Sequence, residues 1–295
     1  MRVAVLGGSG FIGSRLVNRL RSLELDVVAP TRAELDLAVE HRFRQLDGCT
    51  HIVMLADSLA GRAIGGSSDE LDLLDRALDI SVRGLDRLCC QLLRSNIRLI
   101  FTSSCVYAPW ARRPSCETDP VGALGPYGCI KIISENVIES AVRQGLDAII
   151  VRPFNAYGPR QTTRFVIPKI VNAALRGMPL RLDNLESRRD FVHVDDVVEG
   201  IYAALDKGKR GATYNLGTGR STSVGEVLTV VEDVIGRRID CQIRSQMDAQ
   251  PISESCADVG RARLDLRWIA EIDLRTGLDA LIRGTMVNPE MNHQA

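Results

Sequence analysis

Arg2-Val-Ala-Val-Leu6 is a short apolar run that leads straight into Gly7-Gly-Ser-Gly10-Phe-Ile-Gly13. A strand buried on both faces reads as such a run, and glycines behind it permit a tight turn into a helix. The periodicity predicts that helix over Phe11 to Ser22. Glycine at these positions also lets backbone approach a diphosphate seated on the helix N-terminus. Gly7, Gly10 and Gly13 are therefore candidate dinucleotide contacts. Their spacing is G-x-x-G-x-x-G rather than G-x-G-x-x-G, and a plain strand-to-helix turn is the alternative.

The alternation continues downstream. Asp26 to Ala29, His51 to Leu55, Ile97 to Thr102 and Ala148 to Val151 read as strands, and a long leucine-patterned segment from Asp69 to Arg94 reads as helix. Leu71, Leu74, Leu78, Leu85, Leu88 and Leu92 fall on or near one face of it. A second helix runs from Tyr127 to about Gln144, and Asp57 to Ser68 has the Gly, Ser and Ala content of a mobile loop. Strands alternating with helices predict an α/β fold: a Rossmann-type doubly wound parallel sheet with a smaller C-terminal substrate-binding lobe. The expected division is residues 1–160 for the dinucleotide-binding part, with 189–216 returning to it, and 161–188 plus 217–295 for the lobe.

Composition narrows the function. Acidic and basic residues balance at 37 each, so the surface offers no general attraction for nucleic acid or anionic membrane. The eight cysteines include no C-x-x-C pair and read as reduced thiols. The four histidines have no zinc-ligand spacing, so no metal is expected. A first strand at Arg2 leaves no room for a signal peptide, and cytoplasm is the expected location.

Tyr127 and Lys131 lie one helical turn apart, which places both side chains on one face. An ammonium beside a phenol favours the phenolate, and a tyrosine tuned in this way can take or give a hydroxyl proton near neutral pH. An exposed, inert pair is the alternative. At the end of the second strand the chain reads Ala29-Pro-Thr-Arg32, with no acid before Glu34. A carboxylate there would suit the ribose hydroxyls of NAD, whereas Thr31 and Arg32 suit the 2′-phosphate of NADP. NADP is the expectation and NAD the alternative.

In their order along the chain, these features resemble the extended short-chain dehydrogenase/reductase family, which modifies nucleotide sugars. Further points of likeness are Arg152-Pro-Phe-Asn-Ala-Tyr-Gly-Pro159, Arg189-Asp-Phe-Val-His-Val-Asp-Asp196 and Tyr214-Asn-Leu-Gly-Thr-Gly219. The resemblance implies that Tyr127 is the general acid/base, that Lys131 lowers its pKa and holds the nicotinamide ribose, and that Ser103 binds the reacting sugar oxygen. It implies cofactor contacts from Phe11, Ile12, Asp36, Leu37, Leu55, Ala56, Thr102 and Pro153, besides those named above. Substrate contacts are implied for Ser104, Cys105, Asn155 and Arg189, the last on a diphosphate. The alternatives are a strand-end hydrogen bond for Ser103, a turn role for Asn155 and an ion pair with Asp190 for Arg189. Asp195 and Asp196 are expected to cap a helix beginning near Val197.

Family members epimerise C4, carry out 4,6-dehydration, in which the C5 proton and the C6 hydroxyl leave as water, or reduce a 4-keto sugar. The dehydratases follow their catalytic hydroxyl with an Asp-Glu pair. Ser104-Cys105 stands there instead, which disfavours dehydration. Ser103-Ser-Cys-Val-Tyr107 resembles the GDP-fucose synthases, but Phe165 occupies the position of their proton-exchanging histidine. A substrate-phosphate arginine usual near Gln246 to Pro251 is missing or replaced by Arg244. The expected activity is reduction of a 4-keto-6-deoxy sugar nucleotide by NADPH, with 4-epimerisation on a retained cofactor as the alternative. Arg160-Gln161 points toward the latter. A catalytically idle NADP-binding regulator is the non-enzymatic alternative. The Asp69–Arg94 and Tyr127 helices resemble a pair that forms an intersubunit bundle, so a homodimer is expected.

Overall fold

A computed structural model describes residues 1–39, 43–57, 68–109, 113–122, 125–243 and 254–287. Strands β1 (Arg2–Leu6), β2 (Asp26–Val28), β3 (His51–Met54), β4 (Arg98–Thr102), β5 (Ala148–Pro153) and, much later, β10 (Thr213–Leu216) form one sheet. The order is β10-β5-β4-β3-β1-β2, and every pairing is parallel. Successive side chains of β1 serve opposite faces. Val3 and Val5 join one core cluster, Ala4 and Leu6 the other. That is why the strand has no polar alternation: both faces are covered.

Helices α1 (Phe11–Ser22) and α6 (Val194–Lys207) cover the first face. They are tied together by two arginine–carboxylate pairs, Arg15 with Asp195 and Arg19 with Glu199. The second face is covered by α3 (Leu85–Leu92) and α4 (Pro126–Arg143). Between α2 (Ser68–Leu78) and α3 the chain makes a wide helical turn over Asp79–Gly84. The leucine-rich segment is therefore not one continuous face. Leu85, Leu88 and Leu92 enter the sheet core, Leu74 and Leu78 pack with Ile130 and Tyr127 of α4, and Leu71 is 52% exposed. The turn shifts the helical phase between the two groups.

Past β5 the chain adds β6 (Asn155–Tyr157), α5 (Val166–Arg176), β7 (Leu180–Leu182), β8 (Arg188–Arg189), β9 (Phe191–His193), β11 (Thr222–Ser223), α7 (Val224–Ile235), β12 (Cys241–Ile243) and α8 (Leu274–Val287). The strands pair two by two, β6 with β9, β7 with β12 and β8 with β11. Helices α5, α7 and α8 enclose a separate apolar cluster with Leu180, Leu182 and Phe191. Ser223 and Glu226 form a reciprocal cap that starts α7, and Gly236 ends it in the left-handed region at φ 71°.

Two expectations require correction. Helix α6 begins at Val194, and His193 is its cap, accepting a hydrogen bond from the Asp195 amide. Asp195 is spent on Arg15, and the Asp196 carboxylate accepts from the Glu271 and Ile272 amides. In addition, part of the C-terminal segment joins the sheet core. Ala262, Leu266 and Trp268 pack against α6, and the Trp268 indole donates to the Asp196 carbonyl at 3.0 Å. Among the described residues no helix is long and apolar enough to cross a membrane, and all eight cysteines are free thiols.

Candidate active site

The carboxyl ends of β1, β3, β4 and β5 open into one cleft of about 1400 Å³ that runs from the glycine turn to α5 and β8. At one end Gly7 takes φ 91°, and a side chain on it would press on the Ala56 amide nitrogen at 2.8 Å. A side chain on Gly13 would collide with the Gly7 carbonyl. Both positions are therefore closed to any residue larger than glycine. Helix α1 starts at Gly10 without a side-chain cap, so its first amides face the cleft unscreened. This cradle fits a dinucleotide diphosphate. Phe11, Ile12, Leu55, Ala56, Thr102 and Pro153 line the same end.

Beyond β2, Arg32, Asp36 and Leu37 also line the cleft, whereas Thr31 does not. Its amide and hydroxyl both donate to the Glu34 carboxylate, at 2.7 and 2.9 Å. Asp36 stands eight residues beyond β2. It accepts from Arg32 at 3.4 Å and from Arg76 of α2 at 2.7 Å. Those guanidinium groups and the Ala38 amide hold its carboxyl below the usual range despite burial. Arg76 is a cleft residue that sequence reasoning missed, because its partner lies forty positions away.

The centre of the cleft is built on α4. Its first residue is Pro126, whose missing amide costs nothing at that position. Tyr127 follows, and Lys131 is buried one turn on at 4% exposure. The Lys131 ammonium donates to the Thr102 carbonyl at 3.0 Å, pairs with Asp57 at 2.9 Å and lies 5.7 Å from the Tyr127 ring centre. Burial penalises the ammonium, but Asp57 and Tyr127 outweigh it and the lysine pKa is raised. The Tyr127 phenol is also held above its ordinary value. Burial is the main cause, the Asp57 charge adds to it, and Lys131 and a hydrogen bond from Ser104 oppose both. Lysine thus acts in the expected direction without deciding the sum.

Ser103 and Thr102 bring hydroxyls to the cleft that find no partner among the described residues although both are buried. Such groups carry a desolvation penalty until a ligand satisfies them. Ser104 stands beside both the phenol and the Cys105 thiol and lowers the pKa of each. Burial pushes that thiol up, which keeps it protonated at neutral pH. Asn155 belongs to a short strand rather than a turn, and its amide donates to Ser255 at 3.0 Å. Arg189 lines the far end of the cleft, donating to its neighbour's carbonyl, with burial lowering its pKa. Asp190 turns away and accepts from the Thr218 amide and hydroxyl and from the Gly219 and Ala257 amides. Phe165, Arg160 and Gln161 complete this end, Arg160 at φ 72°. Arg244, the region around Gln246, and residues 58–67 of the loop expected from Asp57 to Ser68 lie outside the described residues.

Around the site the other sequence motifs act as scaffold. Arg152 is paired bidentately with Glu135, at 2.9 and 2.7 Å, beneath the Tyr107 ring. Breaking such a buried pair on one side costs about 3–5 kcal/mol. The Tyr107 hydroxyl donates to Asn215, whose own amide donates to the Ser115 and Asp258 carbonyls. Gly217 is pressed between Ala257 and Asp190, at 2.6 and 2.7 Å from a would-be side chain.

Comparison with known proteins agrees with this arrangement. The family model of the NAD dependent epimerase/dehydratase family matches residues 3–217. An uncharacterized UDP-glucose epimerase of Bacillus subtilis is 28% identical, over 94% of this chain and 96% of its own length. A putative UDP-glucose 4-epimerase of Methanocaldococcus jannaschii is 27% identical over 95% and 97%. Among solved structures, MoeE5 in complex with UDP-glucuronic acid and NAD superposes with a TM-score of 0.83 at 28% identity, covering 97% of this chain and 99% of the other. A glycine cradle, a tyrosine set one turn from a buried lysine and a likeness over nearly the whole chain converge on one conclusion: this chain belongs to the NAD dependent epimerase/dehydratase family, as an NAD(P)-using enzyme of nucleotide-sugar chemistry.

Proposed function

We infer that the enzyme oxidises and re-reduces C4 of a nucleotide-diphosphate sugar, with 4-epimerisation as the net reaction. The observation that carries this is the Tyr127–Lys131 pair, set midway between the glycine cradle and Arg189 in one continuous cleft. The cleft exceeds the roughly 300–1,000 Å³ of a pocket for one small ligand, so it has room for a dinucleotide and a sugar nucleotide together. A bound dinucleotide supplies the hydride acceptor and donor. Tyr127 takes the C4 hydroxyl proton and returns it, and the Ser103 hydroxyl holds the same oxygen. Arg189 offers a guanidinium fork to the diphosphate, and Asn155 steadies the sugar end.

Epimerisation also requires the sugar to present both faces of C4 in turn, and the small Ser104 and Cys105 leave space for that. A protonated Cys105 beside Ser104 supplies neither carboxylate needed for dehydration. Phe165, 38% exposed at the cleft, cannot exchange protons at neighbouring carbons. The likeness to UDP-glucose epimerases over more than nine-tenths of their length supports the same reading.

A second reading, reduction of a 4-keto-6-deoxy sugar by NADPH, is favoured by the two arginines on Asp36. A 28% likeness to a putative GDP-L-fucose synthase of rice, spanning 86% of that protein, points the same way. The arginines also support NADP over NAD in either reaction.

A homodimer through α3 and α4 completes the proposal. A shallow groove between them is lined by Cys90, Leu93, Ile133 and Val137, and Ile133 is 43% exposed. Sedimentation should show a dimer, and a purely monomeric species at micromolar concentration refutes the interface.

Incubation of UDP-sugars with the purified enzyme should yield a 4-epimer mixture without net change in nicotinamide absorbance. Stoichiometric consumption of NADPH by 4-keto sugars would instead establish the reductase. Tyr127→Phe should lower turnover by at least ~100-fold while dinucleotide binding stays within about twofold, because general acid/base catalysis contributes that much. Undiminished turnover would remove Tyr127 from the chemistry. Arg32→Ala and Arg76→Ala should each weaken NADP by about tenfold and NAD far less, since a hydrogen bond to a charged group contributes about 1.5–3 kcal/mol. Equal losses for both dinucleotides would remove the 2′-phosphate assignment.

A further inference from the structure

The acid/base pair has a third member that the sequence reading passed over. Asp57 stands three residues beyond β3, at the carboxyl end of a buried strand, and its side chain is only 13% exposed. Its carboxylate lies 2.9 Å from the Lys131 ammonium, opposite the 3.0 Å bond to the Thr102 carbonyl. An ammonium has three donors, and among the described residues the Thr102 carbonyl and Asp57 engage two of them. We propose that Asp57 is the positioning residue of this pair: it anchors the Lys131 ammonium from the β3 side and offsets the positive charge that Tyr127 experiences.

The physical basis is the low dielectric of the site. A charge seen through buried protein falls off far less than one seen through water, so a neutralising carboxylate at contact distance removes much of the lysine's pull on the phenol. Among the described residues, the groups facing the pair come from three directions. Asp57 follows β3, Ser104 and Cys105 follow β4, and Glu135 lies on α4 itself. Glu135 is committed to Arg152 through both oxygens, and Cys105 is protonated at neutral pH. That leaves Asp57 as the anionic partner of Lys131. The consequence is a tyrosine kept as phenol, ready to donate a proton, which gives up that proton less readily than Lys131 alone would dictate.

The inference rests on Tyr127 being the acid/base, and its deciding test, a titration of the phenol, uses no substrate, so the two stand or fall separately. Ionisation of Tyr127 is followed by the ultraviolet absorbance of the phenolate, with Tyr127→Phe as the baseline to subtract. Asp57→Asn should move this titration to lower pH by about one unit, the usual size for one nearby charge. Asp57→Glu, which keeps the charge, should remain close to the parent. In turnover, the rise of kcat/KM with pH should move down by the same amount in Asp57→Asn, with nucleotide-sugar KM little changed. A titration that is unmoved or moves upward in Asp57→Asn overturns the proposal. Asp57→Ser serves as a second charge-removing variant. Loss of native circular dichroism in both overturns it as well, since the carboxylate would then serve the fold rather than the phenol.

Discussion

A lysine ammonium can be left in a dry interior only where oxygen atoms replace its water, and the centre of this molecule is organised around that requirement. Lys131 is served by a carbonyl at the end of β4 and a carboxylate beyond β3. Neither is available unless the two strands pair in the observed register, with Met54 opposite Phe101. The Phe101 ring lies 5.3 Å from the ammonium and closes it off on the sheet side. Strand register, helix placement and proton chemistry are therefore bound to one another through a single nitrogen atom.

A second polar knot joins the lobe to the sheet. Asp190 accepts from the Thr218–Gly219 turn and from Ala257, while Asn215 reaches Tyr107, Ser115 and Asp258. These are buried acceptors and donors satisfied across long sequence separations, and they fix where β8 carries Arg189. The Arg-Asp and Tyr-Asn-Leu-Gly motifs thus act on the site indirectly. One member of each lines or frames the cleft, and its neighbour holds the frame closed.

The sheet and its helices were legible because each strand is a continuous apolar run and each turn into a helix carries glycine or proline. Tyr127, Lys131 and the glycine cradle were legible for a related reason: their geometry is local, one helical turn or one tight bend. What escaped was everything set by tertiary contact. Arg76 and Asp57 find their partners on other elements, so no spacing announces them. The start of α6 was misplaced because His193, a less usual cap than aspartate, does the capping. Thr31 was read as a cofactor contact, but its hydroxyl is already used by Glu34. The resemblance assigns the reacting sugar oxygen to Ser103 and a substrate contact to Ser104. In the structure Ser104 stands beside the phenol, and the Ser103 hydroxyl has no partner among the described residues.

The wide turn at Asp79–Gly84 has a mechanical meaning. It frees α2 from the phase of α3, so that α2 rests on Ile130 and Tyr127 through Leu73, Leu74 and Ala77 while α3 stays bolted to the sheet. The same short helix carries Arg76 out to Asp36 beyond β2. Gly84 fastens its base, since any side chain there would strike the Leu37 carbonyl. One short helix therefore borders both the Asp36 corner and the tyrosine ring, so the same three turns of backbone shape two separate parts of the cleft wall.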